Sequence, residues 1–256
     1  MPAAEAPWLV PPANSKPHAL VRVFCFAFAG GSALQFREWD AAVSAEVQIL
    51  GIQLPGHDYR RKEPLPTRVH DLMATMGPGL APYLDRPFAL LGQSLGALLA
   101  FELARWLRRN GLPDARHLFV ASRPAPHLPH GYEPVHELPE QRLFDVLRLY
   151  GGTSEEVLRE PELMRFFLPV IRADLEMNRC SPYVDEPPLD VAITAFGGHA
   201  DPVCKPFELA AWREQTTKAF DLIMMEGGHF VVHSRSRDTL RHVVSKCLGD
   251  HASGTR

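Results

Sequence analysis

Three short stretches of this chain carry residues able to do chemistry together. Residues 92–96 read Gly92-Gln93-Ser94-Leu95-Gly96, a serine with a glycine two positions away on either side. A serine hydroxyl is a weak nucleophile at neutral pH and acts only beside a general base. Of the 12 histidines, His229 stands apart: it follows an apolar run in the loop Glu226-Gly227-Gly228-His229-Phe230. A glycine loop there can swing an imidazole over a serine. Asp201 leaves the preceding apolar run through its own glycine loop, Gly197-Gly198-His199-Ala200-Asp201. An acid so placed fixes the imidazole's tautomer and stabilises its cation. His233, four residues past His229, could share a helical face with it, but no H-E-x-x-H and no third ligand accompany the pair, so no metal is expected.

Acyl chemistry also needs two N–H groups aimed at the oxygen that gains charge. One is expected from Leu95, the residue after the serine. The other is expected from Phe26-Ala27-Phe28-Ala29-Gly30-Gly31, with Ala29 as the preferred donor and Phe28 or Gly30 as alternatives.

The elements that must hold these residues follow from apolar patterning. Runs at 19–28, 47–54, 88–92, 116–122, 191–198 and 220–228 read as strands, each ended by glycine, proline or polar residues. Helical patterns fall between them, at 34–45, 68–84 (broken, with two prolines and two glycines), 95–109, 207–216 and 236–248. Strands alternating with helices imply a mostly parallel sheet covered on both faces. Gly-x-Ser-x-Gly at a strand-to-helix turn, with the chain order Ser94, Asp201, His229, is the order of an α/β-hydrolase fold. Asp190 begins a strand and belongs at the opposite edge. After the strand at 116–122 stand Arg123 and Pro124, not an acid. Residues 123–188 break the alternation: they open rich in proline and continue as helices with no strand. They read as a helical lid inserted into a single domain spanning 1–256.

Composition bounds the function classes. With 46% hydrophobic residues the chain supports one large core, and a formal charge of -3 offers nothing for nucleic acid. No apolar run reaches the length of a membrane span. The first 18 residues lack the charged and apolar regions of a signal peptide. Four cysteines, with no C-x-x-C between them, read as reduced thiols. A cytoplasmic monomer is expected.

Six blocks in order, VFCFAFAGGSA, QLPGHDYRRKEP, GQSLGALLAFELAR, GGHADPV, AWREQT and GGHF, resemble the type II thioesterases that accompany bacterial polyketide and nonribosomal peptide synthases. Those are similar in turn to the medium-chain acyl hydrolases of fatty acid synthesis. By position, Ser94, Asp201 and His229 match that family's triad. The chain departs from the family at Ala27, where proline is usual, at Gln93, where histidine is usual, and at His57, where arginine is common. The resemblance implies hydrolysis of aberrant or stalled acyl groups from the phosphopantetheine thiol of an acyl or peptidyl carrier protein. It implies no cofactor, phosphopantetheine being part of the substrate. The insertion would then form an acyl chamber, with Leu138, Leu143, Leu147, Phe166, Phe167 and Leu168 as lining candidates, although helix packing explains each equally well. An acidic carrier would meet Arg60, Arg61 and Lys62, or Arg108 and Arg109, which otherwise form solvated charged faces. A general carboxylesterase or acyl-CoA hydrolase shares the same triad, and an inactive receptor of this fold can retain it.

Overall fold

The computed structural model describes residues 8–129, 134–153 and 155–249. Its strands are β1 (Leu9–Val10), β2 (Val21–Phe26), β3 (Val47–Ile52), β4 (Phe88–Gln93), β5 (His117–Ala121), β6 (Ala192–Gly198) and β7 (Phe220–Met225). They form one sheet in the order β1-β3-β2-β4-β5-β6-β7, parallel throughout except for β1, which runs antiparallel to β3. The helices are α1 (Phe36–Ala42), α2 (Val69–Leu80), α3 (Leu95–Arg109), α4 (Glu140–Tyr150), α5 (Glu155–Leu158), α6 (Pro161–Arg179), α7 (Pro206–Ala210), α8 (Val231–Ser234) and α9 (Ser236–Leu248). No described helix is long and apolar enough to cross a membrane.

The two-residue period of a strand divides the sheet between two cores. Along β2, Val21, Val23 and Cys25 face α1, α8 and α9, whereas Phe24 and Phe26 face α2, α3 and α7. Both faces are apolar because parallel strands joined by crossover helices are covered on both sides. Helix α3 buries Leu95, Leu99, Leu103 and Leu107 among others; each such side chain contributes about 1.5–3 kcal/mol on burial. Helix α2 runs unbroken through Pro78. The proline lies in its last turn, where one lost backbone bond is tolerated, so the break expected within 68–84 falls at the short 3₁₀ turn Ala81–Tyr83. The edge strand β1 escapes the sequence pattern because it is two residues long and hemmed in by prolines.

The expected all-helical insertion is α4, α5 and α6, between β5 and β6; residues 130–133 of its proline-rich opening lie outside the described residues. These helices bury Leu143, Leu147, Leu158, Met164, Leu168 and Ile171 chiefly against one another. The insertion is thus a small packed unit of its own, fastened above the ends of the strands.

Phe119 is fully buried in the α9-side core and stacks on Phe196 at 6.2 Å. Phe119→Ala is expected to lower unfolding free energy by about 3–5 kcal/mol in urea titration, without changing the turnover of the molecules that remain folded.

Candidate active site

Ser94 links β4 to α3 at φ 54° and ψ -113°, a left-handed conformation that side chains rarely adopt. The turn is tight enough that neighbouring positions have no room for a side chain. A Cβ on Gly92 would lie 2.0 Å from the Gly96 carbonyl oxygen, and one on Gly96 would lie 2.2 Å from the Phe26 carbonyl oxygen. The Ser94 amide donates to the Ala121 carbonyl at 2.9 Å, which continues the β4–β5 ladder and holds the turn at the sheet's carboxyl edge.

Two neighbouring strands end at that same edge, and their loops are stitched together. The amides of His199 and Ala200, after β6, donate to the carbonyls of Met225, the last residue of β7, and Gly227, just beyond it, each at 2.9 Å. This brings the acid and the imidazole together: His229 Nδ1 lies 3.0 Å from Asp201 Oδ2 and 3.1 Å from Oδ1, both side chains being buried. Asp201 Oδ1 also accepts from the amides of Val203, at 2.8 Å, and Cys204, at 3.1 Å. Burial opposes the charge on Asp201, but the hydrogen bond and charge of His229 and those two amides hold its carboxyl below the usual range. With Nδ1 committed to Asp201, Nε2 is the ring nitrogen left for Ser94, which lines the same pocket. Asp190 lies at the far end of the sheet, as expected, paired with Lys218 and Thr217.

The pocket is walled by Ser94, His229, Ala29, Arg123, Tyr150 and Ile171, among others. Of the expected chamber residues only Leu147 reaches it. Leu143 and Leu168 are buried in the insertion's own core, Leu138 packs against that core, and Phe166 and Phe167 face outward, 61% and 37% exposed. The helical phase explains this. Met164, Leu168 and Ile171 share one face of α6; position 166 falls on the opposite face and 167 at the flank of the buried one. His233 packs among the rings of Phe28, Phe36 and Trp39, and burial pushes its pKa down to about 4. Among the described residues no cluster of three His, Cys, Asp or Glu side chains is placed to hold a metal.

The basic clusters also divide. Arg60 is buried over the Trp8 ring at 4.1 Å and bonded to Glu63 and to the Gln53 carbonyl, which removes it from any docking surface. Arg108 and Arg109 both pair with Glu186. Arg61 and Lys62 are exposed.

Four residues near the pocket carry roles the sequence did not announce. Gln93 Nε2 donates to the His229 carbonyl at 2.7 Å, so the side chain before the serine anchors the backbone of the imidazole. Arg123, at the end of β5, donates to the Ser94 carbonyl at 3.4 Å and to Asn178 on α6; burial pushes its pKa down to about 10, which leaves it cationic at neutral pH. Asp174, on α6, accepts from the Gly30 amide at 2.7 Å, and His57 holds the same carboxylate. Gly30 is therefore occupied, which favours Ala29 over Gly30 as the donor beside Leu95.

A thioesterase-domain family model matches residues 21–248. The chain belongs to the thioesterase family. A solved structure described as the RedJ thioesterase from the prodiginine biosynthetic pathway in Streptomyces coelicolor is 36% identical, covers 91% of this thioesterase and 92% of that chain, and superposes with a TM-score of 0.85. The type II thioesterase BorB from the borrelidin biosynthetic cluster is 33% identical over 94% of this chain and 98% of its own, also with a TM-score of 0.85. A Brevibacillus parabrevis protein named linear gramicidin dehydrogenase LgrE is 36% identical over 97% of this chain and 95% of its own. The thioesterase is thus an α/β-hydrolase-type enzyme whose relatives are the type II thioesterases of nonribosomal peptide and polyketide pathways.

Gln93→Ala removes one buried hydrogen bond from the loop that carries His229. It is expected to lower kcat about tenfold, with KM changed by less than about threefold, since a misplaced catalytic group costs rate rather than binding. Because the Asp201 carboxyl is held low, its contribution to stability is present above the ordinary carboxylate pKa and is lost as pH falls through the lowered one. Asp201→Asn should therefore flatten part of the acid limb of stability measured by urea titration between neutral pH and the acid range.

Proposed function

We propose that this thioesterase hydrolyses acyl groups from the phosphopantetheine thiol of an acyl or peptidyl carrier protein, clearing aberrant or stalled chains in nonribosomal peptide or polyketide synthesis. The observation that carries the reading is the acid-held imidazole of His229, which shares a pocket with a serine at a strained strand-to-helix turn. In this mechanism His229 Nε2 takes the Ser94 proton as Oγ attacks the thioester carbonyl. Leu95, at the N-terminus of α3, and Ala29 donate their amides to the resulting oxyanion. As the intermediate collapses, the C–S bond breaks and the thiol leaves with the proton held by His229. Water, deprotonated by the same imidazole, then attacks the acyl-serine ester, and the acid product departs as Ser94 regains its proton. Asp201 steadies the imidazolium in both steps.

The reaction draws on side chains and water alone, with phosphopantetheine brought in by the substrate. The helices of the insertion act as a lid over the acyl group. In this reading the enzyme works as a cytoplasmic monomer beside the synthase that loads its carrier. The hydride transfer implied by the Brevibacillus relative's name is not carried over, because a serine with an acid-held imidazole is a hydrolytic arrangement.

Ser94→Ala is expected to lower kcat/KM on an acyl-carrier substrate by about 10³–10⁶-fold, read by mass spectrometry of the carrier-bound acyl group. A variant equal to wild type contradicts the serine mechanism. Turnover of acyl-carrier protein, acyl-CoA and a nitrophenyl ester by one preparation ranks the substrates. The carrier is expected to have the highest kcat/KM, and a much higher value for the oxygen ester identifies a carboxylesterase instead.

A further inference from the structure

We propose that His57 and Asp174 form a positioning pair that sets the oxyanion hole, an inference that rests on the hydrolytic reading of the Ser94 pocket. Asp174 belongs to α6 in the insertion and His57 to the loop after β3, 117 residues apart in the chain. Both are buried, His57 at 5% and Asp174 at 1% exposure. One oxygen, Asp174 Oδ2, accepts from the Gly30 amide at 2.7 Å and from His57 Nε2 at 3.0 Å. Gly30 directly follows Ala29, so the carboxylate fixes the peptide that orients the Ala29 amide. Ile171, one turn earlier on α6, lies against Gly30, leaving no room for a Cβ there. The loop is thus pinned by packing and by charge from the same helix.

The pairing also sets the charge of the imidazole. His57 Nδ1 lies 3.0 Å from the Pro55 carbonyl oxygen, and Nε2 faces the Asp174 carboxylate. Both neighbours accept hydrogen bonds only, so the imidazolium, with hydrogen on both ring nitrogens, is the form that satisfies both contacts. A neutral ring would turn a lone pair towards one of the two oxygens. The second carboxylate oxygen, Asp174 Oδ1, is buried with no hydrogen-bond partner among the described residues, so the negative charge relies on His57 and the Gly30 amide. The charged groups facing His57 are Asp174 from α6 and Asp58 beside it in its own loop. Burial opposes protonation of His57, but the hydrogen bond and charge of Asp174, the Pro55 carbonyl and Asp58 raise its pKa above the ordinary value. A raised pKa means the pair stabilises the fold fully below the ordinary histidine pKa and loses that contribution as pH rises through the raised one. The hole is then correctly set on the acid side and loosens on the alkaline side, while His229 must be neutral to act as the base.

The test is the pH profile of kcat on an acyl-CoA or acyl-carrier substrate for wild type, His57→Arg and His57→Gln, with urea stability of each at pH 6 and pH 9. Wild type is expected to lose kcat on the alkaline side, as His57 gives up its proton. His57→Arg carries a charge that does not titrate, and is expected to move the alkaline fall up by about one pH unit or more. His57→Gln is expected to lower kcat about 10–100-fold across the range, with KM within about threefold, and to show no alkaline fall. The stability of wild type is expected to drop relative to His57→Arg between pH 6 and pH 9. Coincident profiles for wild type and His57→Arg, or an undiminished kcat in His57→Gln, overturn the proposal, as does a stability difference that does not vary with pH. The stability readout needs no turnover, so a wild type that hydrolyses no thioester counts against the hydrolytic function while the pairing is still judged on its own.

Discussion

The backbone at Ser94 must reverse from β4 into α3 within one residue, and much else in the molecule follows from that steric constraint. A left-handed turn costs about 1–3 kcal/mol at a residue that carries a side chain. It persists because its neighbours are fixed: Gly92 lies against the Gly96 carbonyl and Gly96 against the Phe26 carbonyl. Those contacts demand that β2, β4 and the first turn of α3 meet almost backbone to backbone. The two apolar cores hold them there, one on each face of the sheet. The strain therefore lifts Ser94 into a pocket at the carboxyl edge, and the N-terminus of α3 presents the Leu95 amide beside it.

The same edge collects the remaining groups. Parallel strands end together, so the loops after β2, β6 and β7 arrive at one place although they lie far apart in sequence. The ladder between His199, Ala200, Met225 and Gly227 joins two of these loops, so Asp201 and His229 are held as one unit. Gln93 ties that unit back to the serine turn, and Asp174 ties the third loop to the insertion. The insertion thus touches the site through fixed polar contacts at Gly30 and Arg123 as well as through its apolar wall.

Much of this is legible in the amino-acid sequence. Ser94, Asp201 and His229 each sit next to glycines at the end of an apolar run, a local pattern that places them at strand ends and needs no knowledge of distant contacts. The strands at 116–122, 191–198 and 220–228 and the helix at 236–248 appear within a few residues of the expected bounds, because strands of a covered parallel sheet read as short apolar runs and amphipathic helices imprint their period on the chain. What stayed hidden depends on contacts between distant segments. His57 stands in the block QLPGHDYRRKEP, but nothing in that block points to Asp174, and only the fold brings the two together. Gln93 reads as a departure from a family habit, and its partner is a backbone carbonyl, which leaves no trace in residue type. Of the chamber candidates Leu147 lines the pocket, and the others are placed by helix packing. The bulk of Phe166 and Phe167 suggests an acyl wall, but Phe166 lies opposite the face shared by Met164, Leu168 and Ile171, and Phe167 at its exposed flank.

The central claim is that Ser94 attacks a carrier-bound acyl group with its oxyanion held at Leu95 and Ala29. It is tested most directly with a carrier protein whose phosphopantetheine arm bears a fluorophosphonate in place of the thioester, followed by peptide mass spectrometry. The expected result is one covalent phosphonyl group per enzyme, on the peptide containing Ser94, with hydrolytic activity lost in proportion. Labelling of another residue, or hydrolysis that survives complete labelling of Ser94, would contradict it.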